Sequence, residues 1–219
     1  MSQTLEFETP YGPARGSLLP AERPAGALIL GHGAGGGIGA ADLVAAAAAA
    51  SEAGFSTVLV EQPYRVAGRR NQPAAKQLDA AWLAVVKRLR AEELRDLPLV
   101  VGGRSAGARV ACRTATDAGA IAVLCLAFPL HAPGRRDDPS KSRLPELEAV
   151  TVPVLVVQGD RDPFGMPPAA ANRTVIAVPG THSLRDGSAI GAPVSDWLQT
   201  LTSAAAAPRA AGRGGAPGA

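Results

Sequence analysis

The sequence predicts an α/β fold in which a mostly parallel central sheet carries helices on both faces. Short apolar segments recur along most of the 219-residue chain, and segments of helical character separate them. Because these predicted strands are apolar on both faces, they are typical of a parallel sheet that helices cover on both sides. Hydrophobic residues make up 47% of the chain, which is enough to build one full core.

The first predicted element is a β-hairpin, and alternating strands and helices follow it. Residues 5–9 and 17–19 are its strands, and Gly12 and Pro13 lie in its turn. The later strands are predicted from short apolar runs. They cover residues 27–30, 57–60, 99–102, 121–126, 154–158 and 174–178.

Two helices are predicted between the early strands. Residues 42–53 are rich in alanine, and Gly54 ends the helix in the backbone conformation that glycine favours. Residues 73–94 form an amphipathic helix, because large apolar residues recur there at helical spacing. These residues are Leu78, Trp82, Val85 and Leu89.

Composition and charge exclude several classes of partner. A net charge of +3 is low for a nucleic-acid-binding protein, and Arg209 and Arg213 lie in a C-terminal stretch without acids. The longest apolar run, 120–128, is too short to span a bilayer, and the N-terminal residues lack the features of a secretory signal. Cys112 and Cys125 fall in a predicted helix and strand, which indicates buried thiols. We therefore expect a cytoplasmic protein that binds neither nucleic acid nor membranes.

Residues 203–219 differ in composition from the rest of the chain. They read SAAAAPRAAGRGGAPGA, a low-complexity stretch without apolar periodicity. Such a stretch does not bury enough apolar surface to offset the entropy of an ordered chain. We expect one domain over residues 1–202 and a disordered tail after it. The sequence does not indicate an oligomeric state.

The stretch GGRSAG at residues 102–107 contains the pattern G-x-S-x-G directly after an apolar run. In this pattern, small residues on both sides of a serine let a sharp strand-to-helix turn lift the hydroxyl clear of the sheet. Ser105 is therefore a candidate nucleophile. The alternative at this point is a glycine-rich turn with an idle serine.

A second glycine-rich stretch, GHGAGGG at residues 31–37, supports two different functions. Gly31, Gly33 and Gly36 match the dinucleotide-binding pattern G-x-G-x-x-G. Glu61 ends the next strand, where a ribose-binding acid would sit. In the second interpretation, a backbone N–H just after His-Gly stabilises the oxygen that becomes negative during acyl transfer. The stretch alone does not decide between them.

A serine nucleophile needs a carboxylate and a histidine base, in the chain order serine, acid, histidine. Of the three histidines, only His182 follows the candidate acids, in a loop between the last strand and the final helix. Asp160 and Asp162 come directly after the strand 154–158, at the sheet edge where active sites of open α/β proteins lie. Chain order admits either aspartate, although Asp160 is closer to the strand and suits a role in the turn. Four features at one edge favour a hydrolase over a dinucleotide-binding protein.

Six motifs together resemble the α/β-hydrolase superfamily, in its small branch similar to dienelactone hydrolases and to testis-expressed protein 30. They are GHGAGG, QPYRVAGRR, GGRSAGAR, FPLHAPG, QGDRDPFG and GTHSL, and the resemblance covers residues 3–202. Dienelactone hydrolases are expected to use a cysteine nucleophile, whereas Ser105 stands here, so their substrate does not transfer to this chain. Some relatives in this branch look like non-catalytic scaffold components, which leaves a catalytically idle binding module as the alternative.

The resemblance implies an α/β-hydrolase fold and assigns roles to individual residues. It implies Ser105 as the nucleophile, Asp162 as the acid and His182 as the base. It also implies that the N–H groups of Ala34 and Ala106 form the oxyanion hole. Acyl transfer by such a site needs no cofactor, and the histidines and cysteines lack the spacing of metal ligands. The partner is then a small-molecule acyl substrate.

The substrate itself is not predicted, but several residues are candidates for binding it. The segment between residues 126 and 154 has room for a loop and one short helix, so we expect a minimal lid or none. The candidates follow predicted strands. They are His32, Tyr64, Arg69, Arg70 and His131. The arginines would either meet an anionic substrate group or pair with helix acids at the surface, and His131 would either line the pocket or stabilise its loop through a hydrogen bond.

Overall fold

The structure, a computed structural model, describes residues 2–132, 134 and 138–206. Within these residues, eight strands form one sheet. The strands are β1 (Gln3–Phe7), β2 (Ala14–Leu19), β3 (Gly26–Gly31), β4 (Phe55–Glu61), β5 (Leu99–Arg104), β6 (Ala122–Leu126), β7 (Val154–Gly159) and β8 (Arg173–Val178). The helices are α1 (Ala41–Glu52), α2 (Pro63–Val66), α3 (Ala75–Ala91), α4 (Ala106–Thr114), α5 (Leu144–Glu148) and α6 (Ser188–Ala206).

The sheet is mostly parallel, as predicted. Its strand order is β1-β2-β4-β3-β5-β6-β7-β8. Strand β2 pairs antiparallel with both β1 and β4, and the pairs from β4 to β8 are parallel. The chain turns to one side of β3 to form β4 and to the other side to form β5. Ligand sites of open α/β sheets lie at the carboxyl ends of strands beside such a reversal.

Helices cover both faces of the sheet, which confirms the predicted fold class. On one face, Ile29 of β3 packs in a buried cluster that includes Trp82 of α3. On the other face, Leu30 packs in a cluster with Leu43 of α1 and Val194 of α6. Alternate residues of a strand point to opposite faces, so β3 needs apolar residues at both sets of positions. This explains its continuous apolar run.

The described part of the segment between β6 and β7 agrees with the prediction of a minimal lid or none. Its described residues contain a 3-10 turn, Pro139–Lys141, and the single short helix α5. Glu146 of α5 accepts hydrogen bonds from Arg109 of α4 at 2.8 and 2.5 Å, so α5 lies against the helix that follows Ser105.

Two elements differ from the sequence prediction. Helix α2 was not predicted, because four residues are too few to show a helical period. Helix α6 continues to Ala206, past the predicted domain end at residue 202, and the rest of the predicted tail lies outside the described residues. Among the described helices, none combines the length and apolar character needed to cross a bilayer.

The two cysteines lie in the core, as predicted. Cys112 on α4 and Cys125 on β6 are free thiols whose sulfur atoms are 3.5 Å apart. The neighbouring thiol and burial raise the pKa of Cys125 well above its ordinary value, so this thiol stays protonated.

Candidate active site

Ser105 occupies a sharp turn between β5 and α4. Its backbone has φ 51° and ψ −108°, a region that residues other than glycine seldom adopt. The flanking glycines are required because the end of β3 lies directly against the turn. A Cβ atom on Gly103 would lie 2.5 Å from the Gly31 carbonyl oxygen, and one on Gly107 would overlap the same carbonyl group. Both glycines of G-x-S-x-G are thus explained by close backbone packing.

His182 and Asp162 lie in line with the Ser105 hydroxyl. His182 Nε2 is 2.8 Å from Ser105 Oγ, and His182 Nδ1 is 2.9 Å from Asp162 Oδ2. An ionised carboxylate only accepts hydrogen bonds, so Nδ1 carries the proton and donates it to Asp162. Nε2 is then left as an acceptor for the serine hydroxyl. This is the arrangement needed to take a proton from Ser105.

Asp162, rather than Asp160, is the aspartate against His182. Its side chain is 1% exposed. The Gln158 side-chain amide donates to Oδ2 at 2.8 Å, and the Phe164 N–H donates to Oδ1 at 2.8 Å. Asp160 is half-exposed and accepts a hydrogen bond from the Gly180 N–H at 2.9 Å. It therefore connects the turn after β7 to the loop that carries His182, residues 179–187 between β8 and α6, called the histidine loop below.

The glycine loop after β3 adjoins the serine turn. A Cβ atom on Gly33 would lie 3.5 Å from the Ser105 Cβ. Ala34 follows this contact, and its carbonyl oxygen accepts a hydrogen bond from the Tyr64 hydroxyl at 2.9 Å. Ala106 is the first residue of α4, where backbone N–H groups have no acceptor within the helix. The two candidate oxyanion donors therefore belong to segments that border Ser105.

His32 is buried and uses both ring nitrogens in backbone hydrogen bonds. Nδ1 donates to the Gly33 carbonyl at 2.8 Å, and Nε2 accepts from the Gln62 N–H at 3.0 Å. Burial lowers the pKa of His32 from its ordinary value, which keeps the ring neutral, as its acceptor role requires. His32 was a candidate for binding substrate. In the structure, its two ring nitrogens instead connect the glycine loop to Gln62, the residue after β4.

Acidification is expected to destabilise the fold through His32. Because its pKa is lower in the folded chain, the unfolded chain binds the proton more tightly below about pH 6.5, and stability falls there by at most about 1.4 kcal/mol per pH unit. Urea unfolding at about pH 7.5 and 5.5 measures this loss in the wild type and in His32→Gln. The variant should lose less stability between these pH values. An equal loss in both proteins would contradict the assignment.

Three of the other candidate binding residues border two different cavities. Tyr64 and Arg69 line a cleft of about 380 Å³ beside α2 and α3, whose walls are otherwise mainly apolar. Arg70 is exposed and is not part of this lining. His131 borders a second cavity of about 290 Å³ that includes Asp162. The structure therefore places Tyr64 and Arg69 at one cavity, His131 at the other, and Arg70 at neither.

Two side chains that the sequence analysis did not single out support the site. Gln158 is fully buried at the end of β7 and holds Asp162, as described above. A polar residue in the apolar run VLVVQG was the signal available in the sequence. Arg104 donates to the His182 carbonyl oxygen at 2.9 Å. Among the described residues, no cluster of histidine, cysteine, aspartate and glutamate is suited to hold a metal ion.

The chain matches a known protein-family model. Residues 24–205 match a model described as an alpha/beta hydrolase domain. No curated protein sequence matches the chain significantly.

Several solved structures share this fold over almost their whole length. An α/β serine hydrolase described as lacking a lid, XC6422 from Xanthomonas campestris, is 21% identical with a TM-score of 0.72, covering 91% of this chain and 94% of its own. Est1E from Butyrivibrio proteoclasticus, solved with ferulic acid bound, is 17% identical with a TM-score of 0.73, covering 91% and 99%. A dienelactone hydrolase from Anabaena variabilis is 16% identical with a TM-score of 0.68, covering 91% and 95%. At these identities the similarity shows the fold.

Proposed function

The chain belongs to the alpha/beta hydrolase domain family, and from that premise we propose that it is a serine-dependent hydrolase of carboxylic esters or a related acyl bond. The observation that carries the proposal is the continuous hydrogen-bonded path from Ser105 Oγ through His182 to Asp162. This path lies at the edge of the sheet formed by the carboxyl ends of the parallel strands, where β3 ends and the glycine loop begins. A dinucleotide-binding protein would need the glycine loop but would have no use for the path.

In the first half of the reaction, Ser105 Oγ attacks the acyl carbon while His182 Nε2 takes its proton. The Oγ–C bond forms as the carbonyl π bond breaks, and its electron pair moves to the oxygen. When the tetrahedral intermediate collapses, the carbonyl π bond re-forms, the bond between the acyl carbon and the leaving alcohol's oxygen breaks, and His182 gives its proton to that leaving oxygen. The products of this half are the alcohol and an acyl-enzyme on Ser105.

In the second half, water repeats these steps on the acyl-enzyme. His182 accepts a proton from the water, the new C–O bond forms, and the bond to Oγ breaks as Ser105 is reprotonated. The carboxylic acid leaves, and the site returns to its starting state. Asp162 stays ionised throughout, fixing the tautomer and stabilising the positive imidazolium that forms twice in each cycle.

The N–H groups of Ala34 and Ala106 are proposed to stabilise the oxyanion. The contact between Gly33 and the serine turn brings the glycine loop next to the nucleophile. A donor of this kind contributes about 3 kcal/mol to transition-state stabilisation. Tyr64 and His32 support this role indirectly, because their hydrogen bonds hold the loop on either side of Gly33.

The substrate class is a small acyl compound. The structural neighbour Est1E binds ferulic acid, which is a small carboxylic acid, and this supports an acyl ligand of similar size here. The lining of the cleft beside Tyr64 does not include Ser105, Asp162 or His182, and Tyr64 connects this cleft to the glycine loop through its hydrogen bond to the Ala34 carbonyl. We assign the cleft to the part of the substrate remote from the acyl carbon. It is mainly apolar with one arginine, which suits an apolar chain that carries a negative group.

Burst kinetics with a 4-nitrophenyl ester test the proposed function. A covalent acyl-enzyme predicts a rapid release of nitrophenol, close to the enzyme concentration, followed by slower steady turnover. Folded wild-type protein that shows neither a burst nor turnover above background would instead favour a catalytically idle binding module. The same traces give kcat and KM for the variants below.

Arg69→Ala is expected to raise KM for an anionic ester more than for a neutral one. Arg69 borders the cleft, and its guanidinium would pair with a substrate carboxylate, an interaction worth about fivefold in KM at an exposed site. The comparison uses 4-nitrophenyl hemisuccinate against 4-nitrophenyl butyrate. Arg70→Ala is the matched control, because Arg70 is equally exposed but lies outside the lining. Equal changes for both esters in Arg69→Ala would contradict a role in substrate binding.

A further inference from the structure

The side chain of Arg104 extends from the residue before Ser105 to three other parts of the site. Its Nε donates to Asp42 Oδ2 at 2.7 Å, and its Nη2 donates to the His182 carbonyl oxygen at 2.9 Å. Its Nη1 lies against the glycine loop, since a Cβ atom on Gly33 would be only 2.7 Å away. One guanidinium group thus contacts helix α1, the histidine loop and the glycine loop.

The Arg104–Asp42 pair is almost completely removed from solvent. The Asp42 side chain is 0% exposed and that of Arg104 is 16% exposed. Asp42 Oδ1 also accepts from the Leu43 N–H at 2.9 Å, so both carboxylate oxygens have donors. Burying two charges carries a large desolvation penalty, so such a pair is weak evidence for stability. A role in fixing geometry gives a better reason for its presence.

The histidine loop needs such an anchor because it spans the gap between β8 and α6. On the side of β7, its backbone is held by Asp160 and by the Arg161 N–H, which donates to the Gly180 carbonyl at 2.9 Å. On the side of Ser105, Arg104 holds the peptide of His182 itself. The imidazole extends from this peptide, so a shift of the carbonyl group moves Nε2 relative to Oγ.

We propose that Arg104 is a positioning residue. Held by Asp42, it fixes the positions of the His182 base and of the glycine loop relative to Ser105. This inference rests on the proposed function and adds a role for the variable residue before the serine in G-x-S-x-G. The planar guanidinium group is needed because its nitrogens face three directions at fixed angles. A lysine in its place carries the charge but not this geometry.

Arg104→Lys is expected to lower kcat for 4-nitrophenyl acetate by about 10- to 100-fold, the cost of a misplacement of about 1 Å. KM should change little, because Arg104 does not line the cleft that we assign to substrate. Arg113→Lys is the matched control. Arg113 lies on α4, is 20% exposed and pairs with Asp79 through two hydrogen bonds of 2.9 and 2.6 Å. This control should lower stability but leave kcat within about twofold.

A second variant covers the case in which Arg104→Lys does not fold. Asp42→Asn keeps the shape of the partner and removes its charge, so it should loosen Arg104 and lower kcat by a smaller factor. The thermal transition of each variant, followed by circular dichroism, shows whether the chain is folded at the assay temperature. A folded Arg104→Lys, or Asp42→Asn in its place, with the kcat of wild type would overturn the proposal.

An NMR measurement tests the same claim without turnover, so it separates failure of this inference from failure of the proposed function. In ¹⁵N-histidine-labelled protein, the His182 Nδ1–H that is bonded to Asp162 should give a downfield proton signal. We expect this signal in the wild type and in Arg113→Lys, and we expect it to be lost or broadened in Arg104→Lys. An unchanged signal in folded Arg104→Lys would refute the positioning role whether or not the protein hydrolyses esters.

Discussion

Ser105→Ala is expected to lower kcat for 4-nitrophenyl acetate by roughly six powers of ten, to the background rate of the assay. The loss is this large because the Ser105 hydroxyl both gives its proton to His182 and forms the covalent bond to the acyl carbon. Alanine fits the turn without a new contact, since the change removes only the side-chain Oγ and leaves the close backbone packing at Gly103 and Gly107 as it is. The thermal transition should therefore stay within a few degrees of wild type.

Ser51→Ala controls for the loss of a serine in general. Ser51 is exposed near the C-terminal end of α1, at the opposite end of the helix from Asp42, so kcat should not change. Turnover by Ser105→Ala within tenfold of wild type would show that another group is the nucleophile.

Asp162→Asn is expected to lower kcat by roughly three to four powers of ten. The amide group of asparagine can donate to His182 Nδ1, which moves the ring proton to Nε2 and blocks acceptance of the serine proton. In the native chain, Gln158 donates to Oδ2 of Asp162 and the Phe164 N–H donates to Oδ1. The NH₂ group of asparagine replaces one of these oxygens, so a donor in the variant faces the donor of Gln158 or of Phe164. We therefore expect a loss of about 1–3 kcal/mol in the free energy of unfolding as well.

Asp160→Asn is the matched control, two residues away on the same turn. Its remaining carbonyl oxygen still accepts from the Gly180 N–H, so we expect a stability loss of at most about 1 kcal/mol and little change in kcat. Steady-state kinetics on both variants, with urea unfolding to correct for folded fraction, give the comparison. A larger kcat loss in Asp160→Asn would move the acid to that position.

The fold was predictable because its strands are continuous apolar runs and its order of elements is regular. Each predicted strand overlaps an observed one, and the observed ends extend by a few residues where backbone pairing continues into glycine or charged positions, as at Gly31 and Arg104. The short helix α2 and the continuation of α6 past residue 202 were not predicted. Four residues are too few to show a helical period in α2, and residues 203–206 read SAAA, which carries no apolar period either.

The candidate site was predictable in its parts and less so in its geometry. Chain order and strand ends pointed to Ser105, to His182 and to two aspartates, but the choice between Asp160 and Asp162 depends on the turn after β7. That turn is closed by the Asp162 N–H to the Gly159 carbonyl and by the Gly165 N–H to the Asp162 carbonyl, which direct the side chain toward His182.

The role of Arg104 was not predictable, although the residue stands inside the motif that was recognised first. Its partners lie 62 and 78 residues away along the chain, in Asp42 and His182. No local pattern links positions so distant, and a single arginine in a motif does not indicate where its side chain will point. Only the folded arrangement of α1, β5 and the histidine loop brings these groups together.

The central claim is that Ser105 is a nucleophile activated by His182, and fluorophosphonate labelling tests it most directly. The reagent reacts with activated serines, and peptide mass spectrometry locates the phosphonyl group that it leaves. We expect one adduct per chain, on Ser105, with no adduct on Ser105→Ala and much slower labelling of Asp162→Asn. A folded wild-type protein that stays unlabelled, or an adduct on another residue, would contradict the account.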